Sequence, residues 1–249
     1  MSDIKYQNWN PMSRWESTKQ YSKWHFDPAR PPIPGRDSYT YVGRFDYDFT
    51  DIVKECIPKS NAKSWASRNK HKVPGELWTA SAEEQDLIRA GANPEMEIFD
   101  RYTHADRDVM LFRFMGDMLG LQFIDTNFHN QTTGQMLVEH LDNFPAINPR
   151  NNDARVTEYD ENPDLMRRFT IMLADWQLGQ VFQLGNANWT QWRAGDCITW
   201  EWQDIPHATC NMGWWDRPML QITGCTTPMT QQILDNAGPN QIFDLSVFK

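Results

Sequence analysis

The chain is poor in cysteine: four among 249 residues, and no two of them form a C-x-x-C pair. The count and spacing therefore give no sign of a disulfide framework. Cys197, Cys210 and Cys225 fall in or beside segments that we predict to be strands. We interpret them as buried free thiols in a reducing compartment.

Long apolar runs are also missing, since no stretch approaches the ~18 residues that a membrane-spanning helix needs. The first ten residues, M-S-D-I-K-Y-Q-N-W-N, contain no apolar signal region. We therefore expect a cytoplasmic protein without a membrane partner. Basic residues are outnumbered, 24 against 33 acidic ones, and the formal net charge is −9. This balance argues against nucleic acid as the main partner.

Turn-forming residues and tryptophan are abundant by contrast. Gly (13) and Pro (15) are spread along the chain, which is typical of a turn-rich β architecture, and the length suits one large β domain. Most of the 12 Trp residues are expected to pack in the core and on sheets. The alternative is an aromatic wall around a substrate. Trp200 and Trp202 share strand parity, and Trp214 and Trp215 are the better pocket candidates.

Two short motifs indicate a metal site. The segment Gln135–Phe144 is predicted to be a strand, in which residues two apart point to the same face. His140 and Asp142 would then project together, and His207 would face them from another strand. Two imidazoles and one carboxylate are the facial triad expected for non-heme Fe(II) oxygenases. The sequence therefore predicts His140, Asp142 and His207 as ligands of one metal ion.

Arg217 follows the distal histidine by ten positions. We predict strands over His207–Met212 and Arg217–Thr223, with a turn at residues 213–216 that makes them a hairpin. Such a hairpin would bring Arg217 back toward the metal end. A planar guanidinium suits bidentate binding of a carboxylate.

With these residues the sequence resembles the Fe(II)/2-oxoglutarate-dependent oxygenases over roughly residues 120–225. The resemblance implies a mainly β fold with flanking helices around a double-stranded β-helix, or jelly-roll, core. It implies that His140, Asp142 and His207 bind Fe(II) and that Arg217 pairs with the distal carboxylate of 2-oxoglutarate. Many members have Ser or Thr two residues after the Arg, where this chain has Met219.

The second contact to the cosubstrate must then come from elsewhere. Arg150, Arg167 and Arg168 are candidates.

The implied reaction consumes 2-oxoglutarate and O2, releases succinate and CO2, and hydroxylates a C–H bond of a small molecule or a peptide side chain. Demethylation and desaturation remain open. The alternative is a metal-binding cupin that acts as an isomerase or epimerase, or that only binds a ligand, without 2-oxoglutarate. Such a protein would not need Arg217.

A second His-x-Asp motif is present at His104 and Asp106. The apolar residues that follow recur at helical spacing, so we interpret the motif as a helix N-terminal region with Thr103 as a candidate cap. A helix would direct the two side chains apart, which argues against a metal site there.

We predict a single domain: an N-terminal extension over residues 1–120 with helices packed on the barrel, a core over 121–225 and a tail over 226–249. Helices are expected over Ser81–Gly91, within Pro94–Gly120 and near Thr230–Asn236. Phe45–Cys56 should give a strand and a short helix. The polar stretch Asn151–Pro163 is a candidate lid over the site. The remaining strand predictions are Leu121–Phe128, Arg168–Trp176, Gln180–Leu184 and Cys197–Trp202.

Overall fold

The computed structural model describes residues 39–64, 97–140, 165–185, 187–202 and 205–248. These ranges contain twelve strands: β1 Thr40–Asp46, β2 Asn61–Ser64, β3 Glu97–Thr103, β4 Gln122–Gln131, β5 Met136–His140, β6 Met166–Met172, β7 Gln180–Leu184, β8 Ala187–Trp189, β9 Asp196–Thr199, β10 His207–Asn211, β11 Arg217–Cys225 and β12 Ile242–Asp244. The α-helices of the described residues are α1 Thr50–Cys56, α2 Met110–Met118 and α3 Pro228–Asp235.

Strands β4 to β11 pair like a long hairpin that has been rolled up. The first pairs with the last, β4 with β11, and the next pairs inward are β5 with β10, β6 with β9 and β7 with β8, all antiparallel. Rolling brings β6 against β11 and β7 against β10, which closes two sheets over one another. Eight antiparallel strands in this nested order form a jelly roll, as predicted.

The two sheets differ in size. The larger has the order β12-β1-β9-β6-β11-β4-β3-β2 and the smaller β5-β10-β7-β8. Four of the eight core strands lie in the larger sheet, and β1, β2, β3 and β12 widen it on both sides. The larger sheet therefore has one face toward the smaller sheet and another toward the helices.

Each face of the larger sheet has its own core. On the outer face, Leu111, Phe112 and Met115 of α2 are buried with Phe128 of β4 and Leu220 of β11. On the inner face, a second cluster joins both sheets and consists of Met172, Phe182, Leu184, Trp189, Trp192, Ile198, Trp200, Ile205 and Met219. Because alternate residues of a strand point to opposite faces, the members of this inner cluster identify which residues face the interior of the roll.

The helix predicted within Pro94–Gly120, with Thr103 as its candidate cap, is α2 and begins later than expected, at Met110. Glu97–Thr103 forms β3, which pairs with β2 and β4 and extends the larger sheet. Thr103 is therefore a strand residue and not a helix cap, and His104 adopts a left-handed conformation with φ of 55° before a 3-10 turn. The strand over Glu97–Thr103 was not predicted.

The predicted hairpin of His207–Met212 with Arg217–Thr223 is also wrong. The two strands exist as β10 and β11, but β10 lies in the smaller sheet and β11 in the larger one. The five residues between them cross from one sheet to the other. Apart from β7 and β8, which pair at the closed end of the hairpin, consecutive strands of the roll lie in different sheets, and β10 and β11 follow this pattern.

Other strand predictions are confirmed with shifted ends. Gln180–Leu184 coincides with β7, whereas β4 runs three residues beyond Phe128 and β11 two beyond Thr223. The short helix expected within Phe45–Cys56 is α1, whereas the strand expected there is β1, which begins five residues earlier at Thr40. The helix near Thr230–Asn236 is α3. The short strands β2, β8 and β12 carry too few alternating residues to be predicted.

Several predictions fall outside the described residues: the helix over Ser81–Gly91, the segment 141–144 of the metal strand and the candidate lid Asn151–Pro163. They stay predictions, as does the division into extension, core and tail. None of the helices in the described ranges has the length and apolar character to cross a membrane.

Candidate functional site

His207 and His140 are register partners in the smaller sheet. His207 is the first residue of β10 and His140 the last of β5, and the antiparallel ladder sets them opposite one another. The register shifts between His207 and Thr209, so β5 carries one extra residue there. Bulges of this kind occur often beside active sites, where they redirect a side chain. The two predicted histidines are therefore brought to one position of one sheet.

The imidazole of His207 lies inside the roll and is 1% exposed. Its ring centroid is 4.9 Å from that of Trp200 and 5.9 Å from that of Phe182. Two aromatic side chains thus hold the ring at a fixed angle. Such rigid placement is what a metal ligand requires.

Arg217 is buried in the same interior. It begins β11 in the larger sheet and is 1% exposed. Its Nε and Nη2 donate hydrogen bonds to Oε1 of Gln131, at 3.1 and 2.5 Å. Its Cζ lies 5.9 Å from the centroid of Phe182, the ring that also contacts His207. The histidine and the arginine therefore share one aromatic neighbour although they come from opposite sheets.

The charge of Arg217 is not neutralised within the described part of the chain. No carboxylate there lies within salt-bridge distance of it, and its buried Nη1 has no hydrogen-bond partner in the described structure. Burial lowers the pKa of Arg217 to about 10. A buried cation of this kind is costly unless an anion accompanies it. The interior of the roll is consequently prepared for an anionic group beside Nη1.

Gln131 is a site residue that the sequence did not reveal. While its Oε1 accepts from Arg217, its Nε2 donates to Oγ1 of Thr209 at 3.0 Å, and its backbone carbonyl accepts from Nδ2 of Asn211 at 2.7 Å. Gln131 thus connects the larger sheet, and Arg217, to β10, which carries His207. The predicted strand ended at Phe128. Only the polar alternation of Asn127, His129 and Gln131 could have indicated a buried polar face.

The candidates for a second cosubstrate contact have different positions. Met219 is buried in the apolar inner cluster. Arg167 is bound to Glu201 at 2.9 Å, whereas Arg168 donates from Nε to Oγ1 of Thr223 at 3.1 Å. Arg150 lies outside the described residues. Gln131 orients Arg217, the residue predicted to make the first contact, through two hydrogen bonds.

The third predicted ligand, Asp142, lies outside the described residues, and of His140 only the backbone register is described. Within the residues that the structure describes, no group of three or more His, Cys, Asp or Glu forms a metal site. The described part of the site nevertheless fits a metal. His207 is a rigid, buried nitrogen donor at the bulge, directly opposite His140 in the ladder.

The second His-x-Asp motif makes two separate contacts. Nδ1 of His104 lies 2.6 Å from Oδ1 of Asp125, and Asp106 accepts a hydrogen bond from the hydroxyl of Thr126 at 2.9 Å. The two side chains of the motif therefore bind neighbouring positions of β4. This agrees with our interpretation that the motif is not a metal site, although the helix invoked for it is wrong.

The tryptophans divide into buried and exposed groups. Trp200 is buried against His207, and Trp202 donates from its indole to the carbonyl of Met166 at 3.0 Å, beyond the end of β9. Trp214 and Trp215 are 89% and 66% exposed, in the connection after β10. Since His207 is at the other end of β10, the expectation that these two residues lie at the metal end is wrong.

The cysteines are free, as expected. Cys56, Cys197 and Cys225 are buried, and Cys210 is half-buried.

No family model matches the chain, and no curated protein matches it. Among solved structures, a prolyl-4-hydroxylase from Pseudomonas putida aligns with 17% identity and a TM-score of 0.36, over 58% of this chain and 82% of that one. A Cupin 2 conserved barrel domain protein from Salinispora arenicola gives 10% and 0.27, over 47% and 74%. A sugar phosphate isomerase of a cupin superfamily from Silicibacter pomeroyi gives 14% and 0.28, over 45% and 57%. At these scores the fold assignment depends on the strand order described above.

Proposed function

We propose that the protein is an Fe(II)- and 2-oxoglutarate-dependent dioxygenase that hydroxylates a C–H bond of a small molecule or peptide side chain. In this proposal His140, Asp142 and His207 hold the iron, and Arg217 binds the distal carboxylate of 2-oxoglutarate. The observation that carries the proposal is the buried Arg217, whose charge has no carboxylate partner in the described structure and whose neighbour Phe182 also contacts His207.

A dicarboxylate fits this interior better than a single anion. One carboxylate can take the Nη1 edge of Arg217 while the opposite end of the molecule reaches the metal ligands. Gln131 holds Nε and Nη2, so the guanidinium cannot turn away. Each charge-assisted hydrogen bond to the ligand would contribute roughly 1.5–3 kcal/mol and would offset the free-energy cost of burying the cation. Phe182 and Trp200 keep water away from the region between the two ends.

Bound iron together with 2-oxoglutarate and O2 would supply the oxidation, and succinate and CO2 would be the co-products. The chain's own residues place the reactants: His207 is kept in one orientation by Trp200 and Phe182, and Arg217 fixes one end of the cosubstrate. A cupin that uses its metal only as a Lewis acid would not need Arg217 for a cosubstrate, whereas 2-oxoglutarate has a distal carboxylate that pairs with it. This is why the dioxygenase is preferred to the isomerase or epimerase alternative.

The test is succinate formation from 2-oxoglutarate with Fe(II), ascorbate and O2, with and without candidate substrates. We expect turnover in the wild type and none in His207→Ala or His140→Ala, which should also lose Mn(II) binding. Cys225→Ser is a control at a buried position away from the proposed ligands. Metal binding without any 2-oxoglutarate binding or turnover would favour the cupin alternative. Wild-type metal affinity in both histidine variants would contradict the ligand assignment.

A further inference from the structure

Four large apolar side chains are exposed together at one end of the roll. They are Leu178, Met212, Trp214 and Trp215, which are 82%, 72%, 89% and 66% exposed. They come from the turn before β7 and from the connection between β10 and β11. The N–H of Met212 donates to the carbonyl of Gly179 at 2.9 Å, and a Cβ on Gly213 would lie 2.3 Å from the carbonyl oxygen of Leu178. The two segments are therefore in direct contact, and we call the four residues the tryptophan tip.

Two buried amide side chains fix the backbone that carries the tip. Asn211, which is 0% exposed, accepts from the N–H of Gly213 at 3.1 Å and donates from Nδ2 to the carbonyl of Trp215 at 2.8 Å. Gln180 is also buried and donates from Nε2 to the same carbonyl at 3.0 Å. A surface that is already ordered loses less conformational entropy when it binds a partner. The connection thus presents two exposed indoles from a fixed backbone, as a binding surface requires.

The exposed area of the tip is large for a single chain. At about 200 Å² for a fully exposed large apolar side chain, the four residues present about 600 Å². The largest apolar patches of monomeric proteins cover about 300–600 Å² and are often functional. Two such tips in contact would bury about 1,200 Å² in total, which is the lower limit for a specific protein interface. The area is therefore sufficient for a weak dimer.

The chemistry of the tip suits a second copy of the same surface. Residues 177–179 read Q-L-G and residues 212–215 read M-G-W-W, so neither segment carries a charge. The centres of protein interfaces are poor in charged residues and rich in tryptophan and methionine. An uncharged patch can face its own copy without repulsion between like charges. A membrane surface fits less well, because basic residues usually accompany such binding, whereas Asp216 flanks the tip and the protein carries −9.

We infer that the tryptophan tip is a self-association surface through which two copies of this chain form a symmetric dimer. In a two-fold dimer each tip packs against the same residues of the other copy. His207 is the first residue of β10 and the connection follows its last, so about 15 Å of strand separates the tip from His207. The dimer would leave the end of each roll that carries His207 open. The inference does not depend on the reaction proposed above.

Sedimentation velocity of the full chain over a range of concentrations measures the association. We expect a monomer–dimer equilibrium with a Kd of about 1–100 µM, as suits an interface of this size. Trp214→Ser should raise the Kd by about thirtyfold or more, the effect expected for an interface tryptophan, and Met212→Ser should raise it severalfold. Met110→Ser is the matched control for Met212→Ser, because Met110 is 75% exposed at the start of α2, outside the tip. It should dimerise like the wild type.

Fluorine NMR of the protein labelled with fluorotryptophan locates the contact. The resonances of Trp214 and Trp215, assigned by their loss in Trp214→Phe and Trp215→Phe, should shift on dilution, whereas that of the buried Trp200 should not. A chain that stays monomeric throughout the concentration range overturns the inference. An unchanged Kd in Trp214→Ser, or equal effects of Met110→Ser and Met212→Ser, does so as well. A monomer whose Trp214 and Trp215 resonances shift only when phosphatidylcholine vesicles are added would assign the tip to a membrane surface instead.

Discussion

At the scale of single residues, Arg217 combines full burial with a charge that the described structure does not neutralise. Such a residue is costly to the free protein, and binding of an anion would offset the cost. Stability and ligand binding should therefore respond in opposite directions when the charge is removed. This contrast separates a binding role from a purely structural one.

Arg217→Met keeps a long side chain and removes the charge. We expect the free protein to be unchanged or stabilised by about 1–4 kcal/mol, since apolar replacements of buried ions commonly have that effect. The variant should lose the rise in melting temperature that 2-oxoglutarate causes in the wild type, and Arg217→Lys should keep part of it. Thermal melts with and without 2-oxoglutarate and Mn(II) measure both effects. A destabilised Arg217→Met that still responds fully to 2-oxoglutarate would contradict the assignment.

Gln131 offers a second test at the same scale. Gln131→Glu places a carboxylate against Nε and Nη2 of Arg217, where Oε1 now accepts both bonds. The new ion pair should neutralise the buried cation and weaken 2-oxoglutarate binding by about tenfold or more. Gln131→Leu removes the hydrogen bonds that orient Arg217 but leaves the charge of Arg217 without a new partner. This variant should therefore bind 2-oxoglutarate better than Gln131→Glu, and it should be less stable than the wild type by about 1–3 kcal/mol. Calorimetric titration and chemical denaturation give the two quantities, and the reverse order of affinities would exclude this role for Gln131.

At the scale of elements, the connection between β10 and β11 determines where Arg217 enters the interior. A side chain holds the backbone of this connection: Nε2 of Gln180 donates to the carbonyls of Trp215 and Asp216, at 3.0 and 3.2 Å. Gly179, in the turn before β7, has φ of +95° and lies against Gly213. A Cβ on Gly179 would approach the backbone nitrogen of Gly213 to 2.5 Å.

Gly179→Ala should therefore strain its own backbone and displace the connection. Gly134 is a matched control, with φ of +85° and no atom within 4 Å of the point where a Cβ would stand, so Gly134→Ala incurs only the conformational cost of about 1–2 kcal/mol. We expect Gly179→Ala to lose about 1–3 kcal/mol more than that through overpacking, and to bind 2-oxoglutarate more weakly. Equal stabilities of the two variants in urea denaturation would show that the connection is not fixed by this contact.

At the scale of the whole molecule, burial of titratable groups couples stability to alkaline pH. Burial raises the pKa of Cys56 to about 12 from 9.0. Burial, followed by the hydrogen bond to Asp196, raises the pKa of Tyr41 to about 12 from 10.0. Both groups hold their protons more tightly when folded. Their contribution to stability is present below the unfolded values and is lost as the pH rises toward 12.

The free energy of unfolding should therefore begin to fall near pH 9. Cys56→Val should make the fall above pH 9 shallower without moving its onset, because burial also raises the pKa of Cys197, which still titrates there in the unfolded chain. Arg217 acts in the opposite sense, because its lowered pKa of about 10 means that the folded protein releases a proton there. Arg217→Met should accordingly show a steeper fall above pH 10 than the wild type. Denaturation curves between pH 8 and 11 test this, and an equally steep fall between pH 9 and 10 in Cys56→Val and the wild type would contradict it.

The sequence by itself determined the fold class, most strands of the roll and two of the positions that the site brings together. This was possible because alternation along a strand is local, and because the polar residues His207 and Arg217 stand out within predicted strands. It also predicted that His207 comes from a strand other than that of His140, and in the structure these two positions lie in the neighbouring strands β10 and β5.

Only the tertiary structure decided which sheet each strand joins. Pairing depends on how the whole ribbon rolls, and this separates β10 from β11 and adds Glu97–Thr103 to the larger sheet as a strand that was not predicted. The same packing buries Arg217 without a carboxylate partner in the described structure and sets Gln131 against it. Burial and the absence of a partner belong to the folded arrangement of distant segments, and for that reason neither can be read from the order of residues alone.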